Sequence, residues 1–75
     1  MITGSQLRAA RALLDWTQDD LAERSGVTAQ TIRLFEAGNR RPYRQTVDQL
    51  KSALEEAGIE FLVSDVAVGV MLASK

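Results

Sequence analysis

Cysteine and histidine are both missing from this chain of 75 residues. Their absence removes disulfide frameworks, Cys/His zinc sites, nucleophilic thiols and imidazole acid–base chemistry together. Long apolar runs are missing too. The longest, from Val66 to Ala73, is interrupted by Gly69 and is far too short to span a bilayer. The N-terminus carries no basic segment followed by an apolar stretch, so no targeting signal is read and a cytoplasmic protein is expected. Linkers, low-complexity tracts and internal repeats are also lacking, which leaves a single domain over residues 1–75. Neither sign of charge dominates: nine basic residues face ten acidic ones, net -1. Taken as a total, that argues against a nucleic-acid binder, which usually carries a basic excess.

What remains is a well-patterned soluble chain, 45% hydrophobic and 25% charged. Leu7, Ala10 and Leu14 recur at helical spacing, and Thr3 with Gln6 forms a capping box, predicting a helix over about 4–15. Thr17 can cap the amide of Asp20 and start a second helix over 17–25, with Asp19 and Asp20 complementing its dipole and Gly26 ending it. Thr28 caps a third helix over 28–37, with Ile32 and Phe35 turned inward and Gly38 closing it. After the turn at 38–42, a fourth helix over 44–57 places Val47, Leu50, Ala53 and Leu54 on one face. Beyond Gly58 the chain becomes rich in β-branched residues, and two strands over 59–63 and 66–72, turning at Ser64-Asp65, read better than a fifth helix. The fold class is therefore mainly α, four helices followed by a short C-terminal β-hairpin.

The second and third helices flank a tight turn at Ser25-Gly26-Val27. Small Ala22 stands where they touch, and Leu21, Val27, Ile32 and Phe35 supply the apolar contacts, so this is a helix-turn-helix. The segment resembles the XRE family, the lambda-repressor-like group of bacterial and phage regulators. Gln18, Leu21-Ala22, Gly26-Val27, Thr28, Ile32, Phe35-Glu36 and Gly38 carry the resemblance, which extends from Ser5 to about Ala57. Ala57 to Phe61 also resembles the Ala-Gly-(Ile/Val)-Glu-Phe ending of minimal members. The family usually has a fifth helix, in whose place this chain has the hairpin.

The resemblance implies that the third helix enters the DNA major groove and reads base edges near its N-terminus. Gln30 would pair with adenine, Thr28 would touch a base or phosphate, and Arg33 a guanine or phosphate. Ala29 and Leu34 stand where relatives often carry polar readers, which suggests contact with thymine methyls. Gln18 would hold a phosphate at the start of the second helix, and Asn39, Arg40, Arg41 and Arg44 would clamp the backbone. Arg11 and Glu36 match a structural ion pair of the family. Each has a plainer reading: Gln30, Arg33 and the arginines as solvated side chains, Leu34 as a protein contact. Trp16 reads as core or edge packing, and Asp19, Asp20 and Glu23 as a solvated face that would repel phosphate.

Position changes the meaning of the charge. Residues 1–44 hold seven basic and five acidic groups, whereas residues 45–75 hold two and five. The basic groups cluster beside the third helix, where a local patch suffices because screening cuts off exposed charges beyond roughly 8–10 Å. A patch so small binds weakly as a monomer, so a homodimer on double-stranded DNA is expected, joined through the segment 59–72, or else that segment covers the domain's own core. The leading expectation is a sequence-specific transcriptional regulator, acting as a repressor. The alternative is a protein-interaction module, an anti-activator or antitoxin, whose partner is a regulator or a toxin. An enzyme is not expected, and neither a cofactor nor a metal is.

Overall fold

The computed structural model describes residues 2–39, 42–63 and 68–73. Four helices lead into a hairpin: α1 (Gly4–Leu14), α2 (Gln18–Ser25), α3 (Ala29–Glu36), α4 (Arg44–Glu56), β1 (Ile59–Val63) and β2 (Val68–Leu72). The mainly α architecture and the closing hairpin both match the reading from sequence. Helices α2 and α3 start one residue later than expected, because the capping Thr17 and Thr28 stand just outside them, and α1, α3 and α4 end one residue earlier. The anticipated turn at Ser64-Asp65, and positions 66 and 67 of the second strand, lie outside the described residues.

Local chemistry sets the helix starts. Thr3 Oγ1 accepts the Gln6 amide at 3.1 Å while Gln6 Oε1 accepts the Thr3 amide at 2.9 Å. Thr17 and Asp20 make the same reciprocal box at 3.0 and 2.9 Å. These two backbone and side-chain bonds hold the Asp20 carboxyl below its ordinary pKa, with Arg24 adding a small attraction. Thr28 accepts the Thr31 amide. Each cap satisfies an N–H that the helix itself cannot. Between α2 and α3 the chain reverses at Gly26, whose φ of 76° is a left-handed conformation that costs a residue with a Cβ. Opposite this turn, α4 starts without any side-chain cap, at Tyr43.

The core lies where the four helices and the hairpin converge. Leu7, Leu21, Ile32, Leu50 and Leu54 are its largest fully buried side chains, and Ile2 and Ile59 are buried with them. Leu14, Trp16 and Ala22 pack against its margin, so Trp16 is a packing residue, and its ring also lies 4.9 Å below the Arg24 guanidinium. The hairpin is antiparallel, with Ile59 opposite Leu72, Phe61 opposite Val70 and Leu62 opposite Gly69. Partners across the ladder share a face. Ile59, Phe61 and Val70 therefore turn to the core, while Leu62 and Met71 turn to solvent, each about half exposed.

One approach is closer than any side chain allows. The α carbon of Gly4 abuts the last turn of α3: a methyl group there would overlap the Phe35 carbonyl oxygen and stand 2.9 Å from the Glu36 α carbon. Both obstacles are backbone, so they cannot swing aside. Gly4→Ala is expected to cost roughly 2–3 kcal/mol in urea denaturation, against about 1–2 kcal/mol for Gly26→Ala, where only the left-handed φ is strained. A Gly4→Ala protein within a few tenths of a kcal/mol of the parent would refute the close contact.

Candidate nucleic-acid interface

Helix α3 divides its residues sharply. Ile32, Phe35 and Glu36 are buried, whereas Gln30, Arg33 and Ala37 are exposed, with Leu34 and Ala29 half-buried beside them. Gln30, Arg33, Leu34 and Ala37 follow the i, i+3, i+4, i+7 spacing of one helical face, turned away from the core. The expected readers Gln30 and Arg33 thus stand together on one free surface. Thr28 is exposed at the start of that face, but its hydroxyl is already engaged in the cap, accepting from the Thr31 amide and donating to Thr31 Oγ1 at 2.9 Å. A nucleic-acid contact at Thr28 would compete with this cap.

A buried ion pair fixes the face in place. Arg11 of α1 donates from Nε and Nη2 to the two oxygens of Glu36, both at 2.7 Å, the bidentate geometry that suits guanidinium and carboxylate. The Glu36 side chain is 4% exposed and that of Arg11 15%. Hydrogen bonding to Glu36 raises the Arg11 pKa further. The expected structural pair is therefore present. Its reach is wider than expected: Arg11 Nη1 also donates to the Trp16 carbonyl at 2.9 Å, and Gln18 Nε2 donates to Glu36 Oε1 at 3.2 Å.

Through those two bonds the pair also seats the beginning of α2. Gln18 is half-buried at the first helical position, one amide hydrogen held by Glu36 and the side chain still reaching solvent. The capping box takes the amide of Asp20, leaving the earlier N–H groups of the helix outside it. Asp19 and Asp20 are exposed nearby and set negative charge beside that end.

The remaining expected contacts lie around the α3–α4 connection. Asn39 and Arg44 are exposed; Arg40 and Arg41 lie outside the described residues. Arg44 occupies the first turn of α4, the positive end of a helix dipole, where a cation is disfavoured unless an anion joins it. Tyr43, absent from the sequence reading, precedes it 87% exposed and caps nothing. An uncapped helix start beside an arginine is visible in the sequence as a Pro-Tyr-Arg junction lacking Ser, Thr, Asp or Asn. Gln6 was also overlooked as a tertiary residue: it is buried, and its Nε2 donates to the carbonyls of Leu62 and Gly69. The capping box announces only the other half of that side chain.

The helix-turn-helix, the locked third helix and its polar outer face define a small α-helical domain of the helix-turn-helix class. Comparison with known proteins agrees: a helix-turn-helix family model matches residues 7–56, and the chain belongs to the XRE-type helix-turn-helix family. It is also 35% identical over 51 residues to uncharacterized HTH-type transcriptional regulators of Mycobacterium bovis and Mycobacterium tuberculosis. That match takes in 68% of this chain and 20% of each relative, so the chain spans about a fifth of the length of the curated relatives it matches.

Removing one member of the ion pair tests its role. Arg11→Met leaves Glu36 buried and unpaired and is expected to cost about 3–5 kcal/mol, whereas Arg11→Met with Glu36→Leu recovers most of that loss. Chemical denaturation of the two single variants and the double variant measures the coupling. Equal losses in the single and double variants would show that the helices meet without help from the pair.

Proposed function

We propose that this chain is a sequence-specific DNA-binding transcriptional regulator that reads the major groove with α3. The observation that carries the reading is the outward stripe of Gln30, Arg33 and Leu34 on a helix whose opposite face is locked by Ile32, Phe35 and Glu36. In that pose Gln30 offers a bidentate amide to adenine, Arg33 a guanidinium to guanine or phosphate, and Ala29 and Leu34 apolar contact to thymine methyls. Gln18 holds one phosphate with its remaining amide hydrogen and the free N–H groups at the start of α2. Tyr43, Arg44 and Asn39, with Arg40 and Arg41 between them in sequence, take phosphates on the other side of α3. Occupying the groove excludes other proteins from the same site, so repression is the simplest outcome.

DNA selected from a random library supplies the site for a direct test. Arg44→Ala is expected to weaken binding uniformly across sequences and to flatten the salt dependence of log K by about 0.9. Gln30→Ala is expected to leave that slope alone, cost about 1–3 kcal/mol and relax selectivity at one base pair. If no sequence is enriched, even at low salt, the DNA reading fails. A protein-interaction module is then preferred, with the half-buried Leu34 as a contact in that surface.

We further propose that DNA is bound by a homodimer joined through the hairpin. An eight-residue reading helix contacts few base pairs, and the two-stranded sheet has unpaired edges and exposes Leu62 and Met71 on its outer face beside Glu60. A second copy, related by a twofold axis, meets both needs by pairing edge to edge. Light scattering after size exclusion is expected to give a dimer for the parent and a monomer for Leu62→Glu/Met71→Glu. A parent that stays monomeric at the concentration that saturates DNA removes this part of the proposal.

A further inference from the structure

The first turn of α1 touches two distant parts of the molecule at once. On one side, Gly4 rests against the Phe35 carbonyl, and that same oxygen accepts the Gly38 amide at 3.0 Å in the closing turn of α3. On the other, Gln6 Nε2 donates to the Gly69 carbonyl at 2.9 Å and the Leu62 carbonyl at 3.3 Å, one on each strand of the hairpin. The capping box between Thr3 and Gln6 closes this turn into a rigid unit, and buried Ile2 pins it from before. Gln6 is 3% exposed with its oxygen and both amide hydrogens engaged, so it cannot change partners without breaking one of these bonds.

We infer that this turn is a joint coupling the C-terminal hairpin to the C-terminal end of α3, with Gln6 as the positioning residue. When the hairpin seats on Gln6, the turn presses Gly4 against Phe35 and holds the end of the third helix. When the hairpin lifts, the last turn of α3, with Ala37, Gly38 and Asn39, loosens with it. Coupling of this kind is reciprocal: whatever steadies α3 also steadies the hairpin. Its consequence for DNA rests on the function proposed above, but the coupling itself is measurable without DNA.

Gln6→Glu separates the two roles of the side chain. A glutamate keeps the acceptor for the Thr3 amide, as the third helical residue of a capping box often does, but loses both hydrogens and faces two carbonyl oxygens. Amide hydrogen exchange on the full chain then reads three regions. The joint predicts roughly tenfold faster exchange in the hairpin and severalfold faster exchange at Ala37, Gly38 and Asn39, with Leu50 and Leu54 of α4 unchanged. Three results overturn it: an unchanged hairpin, a faster hairpin with an unchanged end of α3, or one common factor everywhere including α4. Should Gln6→Glu fail to fold, exchange of the unmodified chain in graded urea decides. The hairpin and Ala37 to Asn39 must open as one unit with one urea dependence, below that of α4, and separate openings overturn the joint.

Discussion

The Arg11–Glu36 pair is the constraint on which the arrangement of the helices depends. Two of its bonds join α1 to the end of α3, a third reaches the Trp16 carbonyl, and a fourth draws in the Gln18 amide. One buried charge pair thus sets α1, the start of α2 and the end of α3 relative to one another. Its worth is geometric more than energetic, because desolvating two ions offsets much of their attraction. An apolar replacement could fill the space, but it would not orient the side chain at the first position of α2. The distance between that position and the outer face of α3 is what the pair holds fixed.

The starts of α2 and α4 are treated in opposite ways. At α2, Thr17 and Asp20 close a capping box, and Asp19 adds a second negative charge, so the dipole is satisfied from within. At α4 no side chain caps the helix, and its first turn carries Arg44 instead of an acid. Such a start is disfavoured by the helix dipole, and an anion placed there would offset it. The near-zero net charge thus has a local structure: Asp20 caps α2 and Glu36 holds Arg11, while Arg33 and Arg44 stand exposed. A total over the chain hides this division.

Local features were legible in the sequence because their causes are local. Thr3, Thr17 and Thr28 with their partners, the glycine at the α2–α3 turn and the apolar faces of the four helices all act within a few residues. Resemblance supplied the ion pair, which no local rule predicts. The contacts of Gly4 and Gln6 were not legible, since each depends on a partner brought near only by the finished fold. Gln6 announced itself as a capping residue because Thr3 is three positions away; Leu62 and Gly69 are 56 and 63 positions away. Gly4 looked like an ordinary helix start, and only the neighbouring carbonyl of Phe35 explains why a glycine stands there.

The hairpin raises a different physical problem. Two strands alone are marginal in water, and a slip of one residue would exchange their faces. In β2 such a slip would bring Met71 inward in place of Val70, and methionine is apolar enough to be accepted by the core. Hydrophobic patterning by itself therefore discriminates poorly between the two registers. The amide of Gln6 adds a polar tie between the strands, because its two acceptors belong to residues directly opposite one another in the ladder. Buried among apolar groups, its hydrogens depend on those two carbonyls, and leaving them unpaired would carry the full cost of desolvation. A single polar side chain in the wall of the core thus fastens both strands to α1, where the apolar residues around them specify the pairing only loosely.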